Sequence, residues 1–277
     1  MSRKIKRYSR KTIITLILII ISLFCVFPFF WMLVTSVKMK SELFQYPPSL
    51  WPSKWHWENY KKVWTSVPFG RFYINSVICA VCITIGQLTT CSLGAYAFAR
   101  LNFRGRDRLF LLYLATLMIP FQVIMIPLYS IIVKLNWIDT YQGIIVPSLF
   151  SAYGTFLLRQ FFMGVPKELE ESVKIDGGGY LVCFFRIMLP LSKAALATLG
   201  IFVFLFSWNN FLWPLLVVNT IPMHTLPLGI TLFQSRSTTD WNLIMGASCI
   251  AMMPLLIVFL FAQQYFIEGI TVGAVKG

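Results

Sequence analysis

Charge is what this sequence has least of. Asp, Glu, Lys and Arg make up 12% of its 277 residues, where soluble domains carry about a quarter. Hydrophobic residues make up 57%, and the mean hydropathy is +0.72. This excludes an ordinary soluble protein and implies one integral membrane domain, since no polar segment is long enough to fold separately. Acid is scarcest: 10 Asp and Glu stand against 24 Lys and Arg, a net charge of +14. No basic run is interleaved with aromatics in a polar segment, so nucleic acid is not the expected partner. Basic residues of membrane proteins instead collect in cytoplasmic loops and set topology. Histidine is nearly absent: His56 and His224 lie far apart, and no HExxH or Cys/His cluster exists, which leaves a metal site without ligands. Cys79 and Cys82 form a CxxC, but inside an apolar run with no His or acid nearby, where small apolar packing is the better reading. No G-x-x-x-x-G-K-[ST] phosphate loop is present, so no ATP is bound that way. Neither catalytic residues nor a cofactor are expected on this chain.

What the sequence does have is long apolar runs. Stretches of about 20 residues can cross a bilayer, and six are predicted: Thr12 to Val37, Phe72 to Ala99, Leu109 to Val133, Thr140 to Phe162, Ala194 to Val218 and Trp241 to Ile267. Pro120 and Pro127 fall inside the third; neighbouring helices can satisfy the carbonyls they free. The first run follows six basic residues but is too long for a signal peptide's apolar region and lacks a cleavage site, so it is read as an uncleaved helix. With the N-terminus inside, eight of the 24 basic residues face out (Lys38, Lys40, Lys54, Lys61, Lys62, Arg71, Lys134 and Arg236) and sixteen face in. That bias favours both termini in the cytoplasm, and it places segment 164–193 there too. Residues 1–70 form a first helix and an outer segment; residues 71–267 form the core. Trp51, Trp55, Trp57, Tyr60 and Trp64 in the outer segment read as interfacial belt residues.

Between the fourth and fifth runs lies a polar loop holding four of the ten acidic residues: Glu168, Glu170, Glu171 and Asp176. Pro166 and the acids behind it favour a helix start, and Gly177, Gly178 and Gly179 end it. A second amphipathic stretch, Tyr180 to Met188, leads to Pro190. The expectation is helix, glycine turn, helix along the inner membrane face. So short a helix is marginal alone in water and must pack on something.

Glu171-Ser172-Val173, then Gly177, then Ile187-Met188-Leu189-Pro190 fall at the spacing EAA-x3-G-x9-I-x-L-P. This resembles the signature of the membrane subunits of ABC importers, with Ser172 and Val173 where the family pattern has alanine. Phe206 to Pro214 looks like the fifth helix of sugar permeases. The end, Glu268 to Gly277, is similar to the C-terminus of subunits for maltose and glycerol-3-phosphate uptake. The resemblance implies an all-α polytopic membrane protein of the bacterial plasma (inner) membrane, one permease subunit of a binding-protein-dependent importer. Its implied partners are a second homologous permease, two ATPase subunits that bind the ATP and magnesium, an extracellular or periplasmic sugar-binding protein, and membrane lipid. Glu170, Glu171, Ser172, Val173, Asp176, Gly177, Leu189 and Pro190 would belong to the coupling loop. Thr271, Gly273, Lys276 and Gly277, in the tail 268–277, would contact the ATPases. The loop from Asn219 to Asp240 would face the binding protein.

Trp208, Asn209, Asn210 and Trp213 are the candidates for a substrate pathway. Amides inside a membrane are costly unless paired or wetted, and aromatic faces can stack on sugars. The alternative is that the asparagines bond between helices and Trp213 marks the interface. Gln87, Gln122 and Gln142 are weaker candidates. No span carries a charge in its core, which argues against an ion-coupled secondary transporter and favours a neutral sugar or oligosaccharide. Glycerol-3-phosphate, or another small polar solute, stays as the alternative.

Overall fold

A computed structural model describes the backbone of residues 2–234 and 239–274, with side chains over 11–234, 239–261 and at 263. It is 77% helix, and the described residues hold no strand beyond one isolated bridge, Gln234 to Thr239. The helices are α1 (Ser2–Ser36), α2 (Glu58–Ser66), α3 (Phe69–Arg100), α4 (Arg106–Ala115), α5 (Phe121–Lys134), α6 (Tyr141–Ile145) and α7 (Ala152–Met163). They continue as α8 (Glu168–Ile175), α9 (Tyr180–Cys183), α10 (Leu189–Leu191), α11 (Lys193–Trp208), α12 (Leu212–Val217), α13 (Leu226–Ile230) and α14 (Trp241–Ala274). The chain divides into two compact units: residues 1–69 with 230–253, and residues 70–229 with 254–277.

Three stretches among the described residues are long and apolar enough to cross a membrane: Lys11–Ser36, Phe69–Arg100 and Trp241–Phe261. The other expected spans are not straight. The third bends by 99° between Met118 and Phe121. Pro120 causes this: it draws Ile119 into an extended conformation (φ −89°, ψ 113°), as residues before proline prefer. The fourth is broken. After α6 comes a 3-10 turn, Val146–Ser148, and α7 restarts only at Ala152; a helix of that length covers roughly 18 Å, short of the ~30 Å hydrocarbon core. The fifth stops at Trp208 and resumes as the six-residue α12. With each bent pair taken as one span, the count reaches five.

In the first unit, Asn59 Nδ2 donates to the carbonyls of Ser36 and Lys38 at 2.9 and 3.0 Å, satisfying acceptors that the end of α1 leaves open. Lys38 is 2% exposed. Its ammonium donates to Ser49 O and lies 4.9 Å from the Trp31 ring, so this basic residue is built into the fold. Phe30, Trp51, Trp55, Trp57 and Tyr60 form a chain of ring contacts.

In the second unit, the break before α7 is held by side chains of α3. Gln87 Nε2 donates to Ser148 O at 2.6 Å, and Thr90 Oγ1 to Leu149 O at 2.5 Å. Irregular backbone at membrane depth survives only where protein or water satisfies it, and here the satisfaction is direct. Gln87, a weak pathway candidate by sequence, is a backbone clamp. Around it packs a core including Tyr96, Leu158, Phe162, Phe184, Met188 and Leu199. A second core joins α5, α6 and α12 around Trp213, Ile132 and Val217. Gly143 sits in that core; a Cβ there would come within 2.2 Å of the Trp137 carbonyl oxygen. Gly143→Ala is therefore expected to destabilise by about 1–3 kcal/mol through overpacking, read as a lowered Tm of the detergent-solubilised protein.

Candidate functional site

The polar loop folds as helix, glycine turn, helix. Pro166 and Lys167 precede α8, and the N–H groups of Glu170 and Glu171 donate to Lys167 O at 2.9 and 3.1 Å. Three acids occupy the first turn, where the helix dipole favours negative charge. The other end closes on Gly177, whose φ is +80°. Gly177 N–H donates to Lys174 O at 3.0 Å and Gly178 N–H to Val173 O at 2.8 Å. This is the paired closure of a left-handed helix end; it demands a residue that tolerates positive φ, which glycine does at no steric cost. Val173 is half-buried and turned onto the glycine turn: a Cβ on Gly178 would meet its Cγ1 at 2.5 Å.

The acid pair splits. Glu171 is exposed, as are Ser172, Asp176 and Gly177. Glu170 is only 8% exposed. Neighbouring residues on a helix point ~100° apart, and this one points inward to Arg100. Arg100 Nε lies 2.9 Å from Glu170 Oε1, with side chains 4% and 10% exposed. The same guanidinium donates through Nη2 to Phe162 O at 2.5 Å and to Val165 O, carbonyls in the last turn of α7 and just beyond it. One side chain thus gathers the last residue of α3, the end of α7 and the first turn of α8. Nearby, Arg159 Nε donates to Phe98 O at 3.2 Å while its guanidinium lies 4.1 Å from the Phe110 ring. Sequence reading counted Arg100 and Arg159 as topology charges. The one signal available was that each stands where an apolar run gives way to a polar segment.

After the turn come α9, a π-helical stretch (Phe184–Met188) and α10. Cys183, Phe184 and Met188 are buried, and the Phe184 ring lies 5.3 Å from that of Tyr96. Leu189 is half-buried and Pro190 exposed. The chain then bends by 78° into α11.

Of the four pathway candidates, the two tryptophans are interior. Trp208 stacks on Phe204 at 5.8 Å and meets the edge of Tyr73 at 5.6 Å. Trp213 is 2% exposed and its Nε1 donates to Gly143 O at 2.9 Å. Asn210 Oδ1 accepts from Trp213 N–H at 3.4 Å. Asn209 is exposed, its Nδ2 donating to Leu205 O at 2.8 Å. Thr271 and Gly273 stand on the last turns of α14, where only the backbone is described, and Lys276 and Gly277 lie outside the described residues.

The segment after α12 is tied down from two sides. Asn75 Nδ2 donates to the carbonyls of Pro222 and His224, both at 2.9 Å. Asp139 Oδ1 accepts from the N–H groups of Asn219 and Thr220, both at 2.8 Å. Burial raises the Asp139 pKa, but those two N–H donors and the Thr220 hydroxyl outweigh it, and the net shift is downward. A lowered carboxylate pKa adds stability that is complete above the ordinary value of about 3.9 and is lost as pH falls through the lowered one. Amide exchange at Asn219 and Thr220 is therefore expected to be severalfold faster in Asp139→Asn at neutral pH. The wild type should match it, corrected for intrinsic rate, only in acid below the usual carboxylate range.

Residues 91–271 match the family described as the inner membrane component of binding-protein-dependent transport systems. The chain belongs to this family. As such an inner-membrane component it is a multi-pass transport permease subunit, not an enzyme. It is 38% identical to the arabinooligosaccharides transport system permease protein AraQ of Bacillus subtilis (strain 168), covering 95% of each chain. It is also 38% identical to the sn-glycerol-3-phosphate transport system permease protein UgpE of Yersinia pestis bv. Antiqua (strain Antiqua), covering 92% of this chain and 94% of that one. The fold is shared with a crystal structure of a bacterial ABC transporter involved in the import of the acidic polysaccharide alginate: TM-score 0.82 at 21% identity, over 92% of this chain and 96% of that one.

Proposed function

We propose that this chain forms half of the translocation pathway of an ATP-driven importer of a neutral sugar or oligosaccharide. A second homologous permease supplies the other half. Two cytoplasmic ATPase subunits bind the ATP and magnesium, and an extracellular or periplasmic binding protein delivers the solute. Six crossings with both termini in the cytoplasm accommodate the bent and broken segments and place α8 inside. When ATP closes the ATPases, α8 is carried with them and the bundle rocks so that the pathway opens outward, then inward. The observation that carries this reading is the exposure of Glu171, Ser172, Asp176 and Gly177 beside Glu170, which is buried against Arg100 at the end of α3.

A neutral solute is favoured because no apolar run carries in its core the cation that a phosphate would need. Arg100 and Arg159, at the ends of apolar segments, are bound to carbonyls and to Glu170 and Asp107. The likeness to a glycerol-3-phosphate permease keeps that solute as the second reading. Expression with the neighbouring transport genes tests both. A complex carrying a companion permease and an ATPase, taking up arabinotriose but not glycerol-3-phosphate in ATP-loaded proteoliposomes, is the expected result. A lone chain that transports without ATP would overturn the proposal.

A further inference from the structure

We infer that Glu170 and Arg100 form the joint through which motion of α8 enters the membrane bundle, while Glu171 serves the ATPase side. This rests on the proposed coupling role of α8. The two acids are adjacent in sequence yet divided by burial: Glu171 is exposed, and Glu170 is 8% exposed. A helix docked only through its exposed face could slide in the loop when pushed, because the turn after it is three glycines. The Glu170–Arg100 pair removes that freedom. At 2.9 Å, with both side chains at least nine-tenths buried, its charges have little water to replace one another with. Breaking one side of such a pair leaves an uncompensated charge, whereas removing both does not.

Arg100 is more than a counter-ion. It is the last residue of α3, a helix of 32 residues, and its guanidinium also holds the Phe162 and Val165 carbonyls. Arginine's planar fork can serve several acceptors at once, which a lysine ammonium cannot do in the same geometry. A displacement of the first turn of α8 is therefore applied to the ends of α3 and α7 together. Below the pair, Tyr96 lies against Phe184 of the π-helical stretch, so the second half of the loop is seated on the same turns of α3. Glu170 and Arg100 are positioning residues: they touch neither nucleotide nor solute.

The test uses the assembled complex and needs no transported solute. Hydrogen exchange is measured nucleotide-free and vanadate-trapped with MgATP, over residues 168–175 and over the last turns of α3, 93–100. In the wild type, trapping is expected to change exchange in both segments. In Glu170→Gln, nearly isosteric, the change over 168–175 persists while that over 93–100 falls at least fourfold. Should Glu170→Gln fail to assemble, the double variant R100Q/E170Q, which leaves no unpaired charge, takes its place with the same expectation. Retention of the full response over 93–100 in either variant overturns the inference and leaves the coupling role of α8 standing. Raised exchange over 93–100 already in the nucleotide-free state would mark a merely structural pair and also overturns it. Absence of any nucleotide response over 168–175 in the wild type removes the coupling role itself, and the inference with it.

Discussion

Replacing Glu171 and Gly177 together with alanine is expected to lower uptake at least tenfold while ATP hydrolysis by the partner subunits stays within about twofold of normal. The first substitution removes a charge from the exposed surface of α8. The second forces a Cβ into a position with φ of +80°, which costs roughly 1–2 kcal/mol for a residue other than glycine and unwinds the closure that donates to Val173 and Lys174. The surface proposed to meet the ATPase then loses both a charge and its shape, while a Cβ at Gly177 meets nothing within 4 Å and so disturbs no neighbour. Uptake and hydrolysis are measured in the same proteoliposomes, with the permease quantified in each. Unchanged uptake at normal expression would remove the coupling assignment.

Trp213→Ala is expected to be the most damaging single substitution described. The side chain is 2% exposed, meets the Phe121 ring edge-on at 5.9 Å, and joins α12 to α5 and α6. Truncating a buried aromatic costs about 3–5 kcal/mol, and the Gly143 carbonyl left without its indole donor adds about 1–3 kcal/mol. Proteins hold only about 5–15 kcal/mol in total, so the variant should accumulate poorly or melt far below the wild type. Trp213→Phe keeps most of the packing and loses about 1–3 kcal/mol with the hydrogen bond. If that variant transports normally, Trp213 is a strut between helices. Lost uptake with unchanged stability would instead return it to the solute pathway.

The long helices were legible because nothing interrupts them. The runs that became α1, α3 and the first part of α14 carry enough apolar length to be read by composition. The third, fourth and fifth runs were equally apolar but do not stay straight, and hydropathy alone cannot say so. Pro120 announces its bend, yet the break before Ala152 depends on Gln87 and Thr90, some 60 residues earlier, reaching the Ser148 and Leu149 carbonyls. That satisfaction is tertiary and leaves no local mark.

The loop was legible for a local reason. Acids in a first turn suit the helix dipole and a glycine suits the left-handed position that closes the helix, so Glu168 to Glu171 and Gly177 mark the two ends of α8. What the sequence could not reveal was which acid of the pair turns inward, since Arg100 is distant in the chain and is one basic residue among 24. Burial was equally hidden for the tryptophans: aromatic and amide residues clustered in an apolar run suggest a pathway, and Trp208 and Trp213 are 2% exposed each and engaged with their neighbours.

The most direct test is photo-crosslinking from Ser172, an exposed position on α8, replaced by p-benzoylphenylalanine in intact cells expressing the whole transport system. The account predicts a single ultraviolet-dependent product whose mass is the permease plus one ATPase subunit, enriched under conditions that trap ATP. A product with the extracellular binding protein, or cleavage of the α8 segment by protease added outside intact cells, would contradict it.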